Sequence, residues 1–197
     1  MHTSSLAHMR RLVDQHLQGR QHLNIVDIGS WDVNGSYKPF LSQPGWQYCG
    51  VDLAAGPNVD LVMASPYQLP MASHSVDVLV SGQAFEHIEY FWLTWLEICR
   101  VVKPGGLIFL IAPSRGPEHR YPQDCWRFYP DAYRALAKDG SLELVEVSTD
   151  WEPHPAEDSA AWGDTVGVFR QPAMGLLLQW RRRLMQQVRQ WVLPGYR

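Results

Sequence analysis

Residues Leu23 to Asp52, LNIVDIGSWDVNGSYKPFLSQPGWQYCGVD, decide the fold of this chain. The apolar, mostly β-branched run Leu23–Ile28 is short enough for a buried parallel strand, and it stops at Gly29, where a polar turn begins. The pattern then predicts a short helix over Asn34–Leu41 and a second strand over Gln47–Asp52. This succession of strand, turn, helix and strand predicts an α/β fold with a parallel sheet.

The turn after the first predicted strand has the features of a ligand cradle. Gly29 has no side chain, so the backbone can approach a ligand closely at this point. Asp52 ends the second strand about twenty residues later, where a carboxylate can accept the hydroxyl hydrogens of a ribose. The predicted helix start at Asn34 would present free amides to a carboxylate. The spacing therefore suits a cofactor that contains adenosine.

A nicotinamide dinucleotide matches this turn poorly. The fingerprint G-x-G-x-x-G needs a second glycine to make room for the pyrophosphate, and this chain has Trp31 there. In addition, no tyrosine begins the Y-x-x-x-K pair of short-chain reductases. These two observations disfavour an NAD(P)-dependent reductase.

The same stretch resembles in part the first motif of class I S-adenosylmethionine-dependent methyltransferases, E/D-x-G-x-G-x-G. Asp27 and Gly29 match its start, whereas Trp31 and Val33 replace its later glycines. Downstream, the run L-P-x-x-x-x-S-x-D-x-x-x-S over 69–81, followed by Glu86 and His87, is similar to the third-to-fourth-strand region of methyltransferase type 11-like enzymes.

This resemblance implies S-adenosyl-L-methionine as the cofactor. The family usually holds the adenine amino group with an aspartate, and this chain has Ser65 at that point, which leaves a weaker hydroxyl contact. The residues implied in cofactor binding are Asp27, Gly29, Ser30, Trp31, Asp52, Leu53, Ser65, Ser81 and Gln83.

A polar and aromatic loop follows the predicted fifth strand, Leu107–Ala112, and lies at the sheet edge where open α/β folds bind ligands. Its run H-x-Y-P-x-D-x-W-R-F-x-P over 119–130 resembles a bacterial methyltransferase subset associated with glycan or natural-product biosynthesis. The resemblance places the acceptor of the methyl group beside this loop.

Methyl transfer to a hydroxyl requires removal of its proton, and a histidine suits that task near neutral pH. His119 is the first candidate base, with Asp124 to orient it or to bind the acceptor, and His87 is the second candidate. Each of these residues has a purely structural alternative: His87 could cap or pack beside Glu86, and Arg127 could tie the loop by a salt bridge. Tyr121, Trp126 and Arg127 are candidates for acceptor binding, Arg127 by pairing with an acidic group.

The rest of the chain completes a single Rossmann-like domain with a seven-stranded mixed sheet. The family fold implies the strand order 3-2-1-4-5-7-6, and two last strands without a full crossover helix predict an antiparallel edge. We predict a turn at residues 103–106, before the fifth strand. The other predicted elements are helices Ser4–Gly19, Glu89–Val102 and Asp131–Lys138 and strands Val59–Met63, Val76–Ser81, Leu142–Thr149 and Thr165–Arg170.

The domain organisation predicted is an N-terminal helix in residues 1–22, the methyltransferase domain in 23–170 and a C-terminal helix in 171–197. The segment from Pro172 to Trp191 has apolar residues at three- and four-residue spacing with arginines between them, which predicts a basic amphipathic helix. Packing on its own domain or across a dimer is the favoured interpretation, and an anionic membrane surface is the alternative.

Charge and composition exclude several classes of protein. Residues 1–164 carry a net charge of −9, which disfavours nucleic acid as a partner, whereas the remainder carries six arginines and no acid. The chain begins without the apolar core of a signal peptide and has no apolar run of membrane-spanning length, so we expect a cytoplasmic protein. The three separated cysteines and scattered histidines predict reduced thiols and no metal.

The function predicted from the sequence is S-adenosylmethionine-dependent methyl transfer to a small-molecule or glycan acceptor, with oxygen as the expected receiving atom. The alternative is a noncatalytic subunit with this fold and a degenerate cofactor site. Trp31, Ser65 and the missing glycines are the observations that leave this alternative open.

Overall fold

The computed structural model describes residues 2–173 and, beyond them, residues 180, 184, 187, 188 and 191. The described residues form one seven-stranded sheet with helices on both faces. Its strands are β1 Asn24–Ile28, β2 Gln47–Asp52, β3 Leu61–Val62, β4 Val76–Gly82, β5 Val102–Arg115, β6 Glu143–Thr149 and β7 Gly163–Arg170. The α-helices are α1 Thr3–His16, α2 Lys38–Leu41, α3 Phe91–Val101 and α4 Pro130–Gly140, and single 3₁₀ turns occupy Phe85–His87 and Glu157–Ser159.

The strand order is β3-β2-β1-β4-β5-β7-β6, which confirms the predicted topology. Strands β1 to β5 pair in parallel, and β7 lies antiparallel between β5 and β6. The order reverses between β1 and β4, so a crevice opens outside the carboxyl ends of these two strands. Ligands of open α/β sheets bind in such a crevice.

Two hydrophobic clusters cover the two faces of the sheet. Met9 and Leu12 of α1 pack with Phe109 on one face, and Trp95 of α3 and Tyr133 of α4 pack on the other. Helix α1 is therefore part of the core. Strand β5 lies between β4 and β7 and is buried from Leu107 to Ser114, as expected for a strand covered on both faces.

The predicted helix over Asn34–Leu41 is wrong in its first half, because α2 begins only at Lys38. The Asp32 carboxylate accepts the Gly35 amide at 2.8 Å, and the Ser36 hydroxyl accepts the Lys38 amide at 3.0 Å. Short polar side chains of this kind favour turns over helix. A ligand at Gly29 therefore meets an irregular loop and not the amino end of a helix.

Strand β5 begins earlier than predicted, since Val102 already pairs with Val76. The expected turn at residues 103–106 lies inside this strand. The register shifts between Val76 and Val78, and the Gly105 amide donates to the Gln171 carbonyl at 2.7 Å. A bulge thus accommodates Pro104, which has no amide hydrogen for a regular ladder.

Most of the predicted C-terminal helix lies outside the described residues. Its described positions, Trp180, Leu184, Gln187, Val188 and Trp191, are helical and exposed. Within the described part of the chain, no helix has both the length and the apolar character needed to cross a membrane.

Candidate functional site

The candidate site begins at the crevice between β1 and β4. Gly29, the first residue after β1, has a φ of +78°, and a Cβ there would lie 2.6 Å from the Cβ of Ala84, which follows β4. Both observations require glycine, because a side chain would strain the backbone and collide with the neighbouring loop. The loops after β1 and β4 therefore meet at Gly29.

A buried acid supports this turn from beneath. The side chain of Asp27 is buried within β1, and the Tyr48 hydroxyl donates to it at 2.8 Å. Asn58 in turn donates to the Tyr48 oxygen at 2.8 Å and to the Ser30 carbonyl at 3.0 Å. Burial raises the pKa of Asp27 to about 7, and the hydrogen bond from Tyr48 opposes this rise. Asp27 thus lies under the Gly29 turn as part of a buried network.

Two predicted cofactor residues hold the turn through internal hydrogen bonds. The hydroxyl of Ser30 donates to the Asn58 carbonyl, and that of Ser81 donates to the Ile28 carbonyl, each at 3.2 Å. Both serines are buried. The Ser30 side chain therefore joins the loop after β1 to the loop after β2, and the Ser81 side chain joins β4 to β1.

Asp52 at the end of β2 is held by backbone amides. Its Oδ1 accepts the Leu53 amide at 2.7 Å, and its Oδ2 accepts the Trp31 amide at 3.2 Å. A carboxylate has about four lone-pair positions, so further donors such as the hydroxyls of a ribose can still bind. The side chain of Leu53 beside it is half exposed and could cover an adenine ring.

The Trp31 indole lies against the loop after β2. A Cβ on Gly56 would stand 2.5 Å from the indole Nε1, so the missing side chain of Gly56 makes room for the ring. This contact holds Trp31 on the β2 side of the turn. Gly56 was not predicted as a site residue, and its place beside Trp31 depends on the folded loop.

Ser65 and Gln83 already have partners within the chain. The Ser65 hydroxyl accepts the Tyr67 amide at 3.2 Å. The Gln83 amide donates to Asp164 at 2.9 Å and to the Ser5 hydroxyl at 3.2 Å. Gln83 thus connects β4 with β7 and with the amino end of α1.

Two loops bring the candidate catalytic histidines together; we call them the histidine loops, residues 83–90 after β4 and 116–129 after β5. The rings of His87 and His119 lie 4.8 Å apart between centroids. Trp162 flanks His119 at 4.7 Å, and Tyr121 lies 6.5 Å from His87. Aromatic side chains therefore flank both imidazoles.

Asp124 and Arg127 tie the second histidine loop. Arg127 donates to both oxygens of Asp124, at 2.5 and 2.8 Å, and to the Pro117 carbonyl at 3.0 Å. Asp124 also accepts the His119 amide at 2.8 Å, and hydrogen bonding by Arg127 holds the pKa of this carboxyl well below its ordinary value. Arg127 therefore forms an ion pair within the loop, which is the structural alternative to acceptor binding given in the sequence analysis.

Further hydrogen bonds join the two histidine loops. The Cys125 amide donates to the Glu86 carbonyl at 2.7 Å, and the Trp126 indole donates to the Ile88 carbonyl at 3.1 Å. Gln123 donates through its side chain to the His87 carbonyl at 2.9 Å. The loops thus form one connected wall of the site.

Glu86 is a site residue that was not predicted. Its carboxylate is fully buried, and neither oxygen has a hydrogen-bond partner in another residue. Burial raises the pKa of Glu86 to about 8. The pair Glu86-His87 was visible in the sequence as part of the family resemblance, but only the fold shows that the carboxylate is buried beside two histidines.

The arrangement can bind a cofactor and deprotonate an acceptor. Gly29 gives close backbone approach, Asp52 offers a fixed carboxylate, and Leu53 offers an exposed apolar side chain, so these residues fit S-adenosylmethionine. Burial and the nearby His87 lower the pKa of His119. A neutral imidazole at physiological pH can accept a proton.

Comparison with known proteins agrees with this geometry. Residues 26–110 match the model of a family described as a methyltransferase domain. A Mycobacterium leprae protein described as an uncharacterized methyltransferase is 34% identical over 159 residues, which cover 73% of this chain. The chain spans 58% of the length of that relative.

Two solved structures share the fold. The 1,6-didemethyltoxoflavin-N1-methyltransferase of Burkholderia thailandensis, with bound S-adenosylhomocysteine, has a TM-score of 0.67 and 18% identity, over 86% of this chain and 79% of that one. An S-adenosylmethionine-dependent methyltransferase of Aquifex aeolicus has a TM-score of 0.59 and 14% identity, over 82% and 89%. The Mycobacterium leprae relative and the matching family model show that the chain belongs to the methyltransferase family, and the solved structures show the fold that it shares.

Proposed function

We propose that this chain binds S-adenosylmethionine at the Gly29 turn and transfers its methyl group to a hydroxyl of a small-molecule or glycan acceptor. The observation that carries the proposal is the contact of the Gly29 turn with Ala84, which leads directly into the histidine loop of Glu86 and His87. This contact brings the Gly29 turn next to the first histidine loop, which supports placing the cofactor and the proton acceptor on adjoining loops in this proposal.

The cofactor would lie along the loops after β1, β2 and β4. Asp52 would accept the ribose hydroxyls, and Leu53 would cover the adenine, with Ser65 near its edge. The methionine part would lie over Gly29. The bound S-adenosylhomocysteine of the Burkholderia relative supports this cofactor class.

The acceptor would lie between the cofactor and the histidine loops. Methyl transfer is an in-line displacement in which the acceptor oxygen forms a bond to the methyl carbon while the bond from carbon to sulfur breaks. Holding the two reactants in line supplies much of the rate. In this proposal His119 accepts the hydroxyl proton, and Asp124 positions His119 through its backbone amide.

The walls of the pocket support a polar acceptor with an apolar face. Tyr121 is 55% exposed and Trp126 is 36% exposed, so both rings offer surface to a ligand. Aromatic side chains with a polar end suit ligands that combine apolar faces and hydroxyls, such as sugars. A bacterial glycan or natural product is the acceptor class we propose.

Calorimetric titration with S-adenosylmethionine, S-adenosylhomocysteine and NADH tests the cofactor. We expect binding of the two sulfur compounds at about micromolar concentration, or about −8 kcal/mol, and none of NADH. Asp52→Ala should weaken binding about 10- to 100-fold, since a hydrogen bond to a charged group contributes about 1.5–3 kcal/mol.

Asp14→Ala, an exposed acid on α1, is the control and should bind as the unmodified chain does. His119→Ala should keep cofactor binding and lose about 10²–10⁴-fold in transfer to a hydroxyl acceptor. Full transfer by that variant would remove the role of His119 as base. Absence of binding to both S-adenosylmethionine and S-adenosylhomocysteine would favour the noncatalytic alternative.

A further inference from the structure

Three metal-binding side chains converge where the histidine loops meet. Glu86, His87 and His119 each offer one ligand atom, and the three atoms lie within 4.8 Å of one another. Neither oxygen of the buried Glu86 carboxylate has a hydrogen-bond partner in another residue, whereas Nδ1 of His119 faces Oδ2 of Asp124 at 3.4 Å. Buried polar atoms without partners are costly, which points to a ligand for this cluster.

The orientation of His87 strengthens this inference. Its Nδ1 lies 2.5 Å from the Gln123 carbonyl oxygen, and since a carbonyl can only accept, Nδ1 carries the hydrogen. In the neutral ring Nε2 then carries the lone pair, and this atom lies 3.6 Å from Oε1 of Glu86, which is too long for a hydrogen bond. Histidine ligands of metals are typically held in this way, with the second nitrogen donating to a carbonyl.

We propose that Glu86, His87 and His119 bind a divalent transition-metal ion, of the class of Mn²⁺, Fe²⁺, Co²⁺ or Zn²⁺. Two imidazoles and one carboxylate form the donor set typical of these ions in catalytic sites, where positions stay open for water or substrate. Mg²⁺ and Ca²⁺ prefer sites built wholly from oxygen ligands. The sequence did not predict this site, because the fold alone brings His119 to Glu86 and His87.

The ion would define the acceptor more closely, an extension that rests on the proposed methyl transfer. A hydroxyl oxygen at an open coordination position has a lowered pKa and can release its proton to water. The oxygen then takes the methyl group from the sulfonium, and S-adenosylhomocysteine leaves. In the metal-loaded protein His119 serves as a ligand, and the ion does the task otherwise proposed for His119 as base.

A second cluster of similar composition provides a matched control. His8, Asp150 and Asp164 also lie within 4.8 Å of one another. Their atoms, however, are already paired: His8 lies 2.8 Å from Asp150, and Asp164 accepts from Gln83 and lies 3.1 Å from His2. Hydrogen bonds account for this second cluster without an ion.

The test is calorimetric titration of the untagged full chain, stripped with a chelator, with Mn²⁺, Co²⁺, Zn²⁺ and Mg²⁺. We expect one equivalent of the transition ions to bind and Mg²⁺ to bind more weakly. Glu86→Gln and His119→Ala should each lower the affinity for Co²⁺ by at least about tenfold. Each should also alter the visible absorption of the bound Co²⁺. His8→Ala should leave both unchanged.

Three results would overturn the proposal: no binding of any transition ion, unchanged binding in Glu86→Gln, or loss of binding in His8→Ala. Thermal unfolding of each variant identifies one that fails to fold, and Glu86→Gln keeps the shape of the side chain. Titration of the same samples with S-adenosylmethionine separates the two proposals. Cofactor binding without metal binding overturns the metal site alone, and metal binding without cofactor binding overturns the proposed function alone.

Discussion

Asp27 has an environment that disfavours its charged form. Its ordinary pKa is near 3.8, and burial raises it to about 7 in the folded chain. Between these values the folded chain keeps the proton and the unfolded chain loses it, so stability falls as pH rises. The loss of stability caused by Asp27 is absent below about pH 4 and complete above about pH 7. Within this window each pH unit lowers the free energy of unfolding by at most about 1.4 kcal/mol.

We therefore expect Asp27→Asn to flatten the fall in unfolding free energy between pH 5 and 7. The asparagine oxygen can still accept the hydrogen bond from Tyr48. Urea denaturation at pH 5 and pH 7 measures the free energy of unfolding of the variant and of the unmodified chain. The effect is read as the difference between these two proteins, because burial also raises the pKa of Glu86, which is present in both. Asp14→Asn on the exposed side of α1 is the control, and an equal slope in Asp27→Asn would contradict the prediction.

Gly29 is constrained both by its own backbone and by Ala84. We expect Gly29→Ala to lower the free energy of unfolding by about 1–3 kcal/mol because of the positive φ. The contact with the Ala84 Cβ at 2.6 Å should add a further loss. Gly19→Ala, with a φ of +77° and open space around it, bears the first cost alone. Adding Ala84→Gly to Gly29→Ala should recover the second cost.

Denaturation of the unmodified chain, Gly29→Ala, Ala84→Gly, the double variant and the control Gly19→Ala gives these values, and calorimetry gives the cofactor affinity of each. Should Ala84→Gly recover no stability, the two loops would not be in the contact described. The double-variant cycle thus measures the junction between the loops after β1 and β4.

At the level of elements, the second histidine loop depends on the pair of Asp124 and Arg127. Asp124→Asn keeps an acceptor for the His119 amide but removes the charge that pairs with Arg127. We therefore expect the free energy of unfolding to fall by about 1–3 kcal/mol and the amides of residues 116–129 to exchange hydrogen faster. Glu118→Gln breaks an exposed pair with Arg120 in the same loop and should change little. Equal exchange in the two variants, measured by mass spectrometry, would contradict this role.

Sequence reasoning succeeded for elements with a strong period or a sharp end. Strand β2 has the predicted bounds, because an acid, Asp52, ends its apolar run. It failed where polar side chains compete for the backbone, as Asp32 and Ser36 do before α2. It also failed at β5, because Pro104 and Gly105 read as a turn along the chain but form a bulge once β4 and Gln171 are in place.

For the whole molecule, the strand order was predictable because the motifs along the chain resemble a family of known topology. The convergence of Glu86, His87 and His119 was not, because it depends on contacts between loops far apart in sequence. The roles of Trp31 and Arg127 likewise depend on Gly56 and Asp124, partners that the sequence does not identify.

The division of charge gives a prediction for the full chain. The segment from Thr165 on is basic, the preceding residues carry a net −9, and the described helical positions Trp180, Leu184, Val188 and Trp191 are exposed. We expect this segment to contact the acidic surface of a second copy, so the full chain should self-associate and a chain ending at Ala173, which keeps the buried Gln171, should not.

Sedimentation at about 0.1 M and about 1 M salt measures this, since the Debye length falls from about 10 Å to about 3 Å and charge attraction weakens. A full chain that is monomeric in low salt would contradict the expectation. Co-flotation of such a monomer with anionic but not neutral vesicles would instead favour the membrane-surface interpretation.

The hydrogen bonds between the histidine loops have a consequence for changing the acceptor of this protein. Cys125, Trp126 and Gln123 all donate to carbonyls of the loop after β4. A graft that replaced only one loop would leave those carbonyls or donors unpaired. Residues 83–90 and 116–129 therefore have to be exchanged as one unit. We expect acceptor preference to be transferred between relatives only when both loops are replaced together.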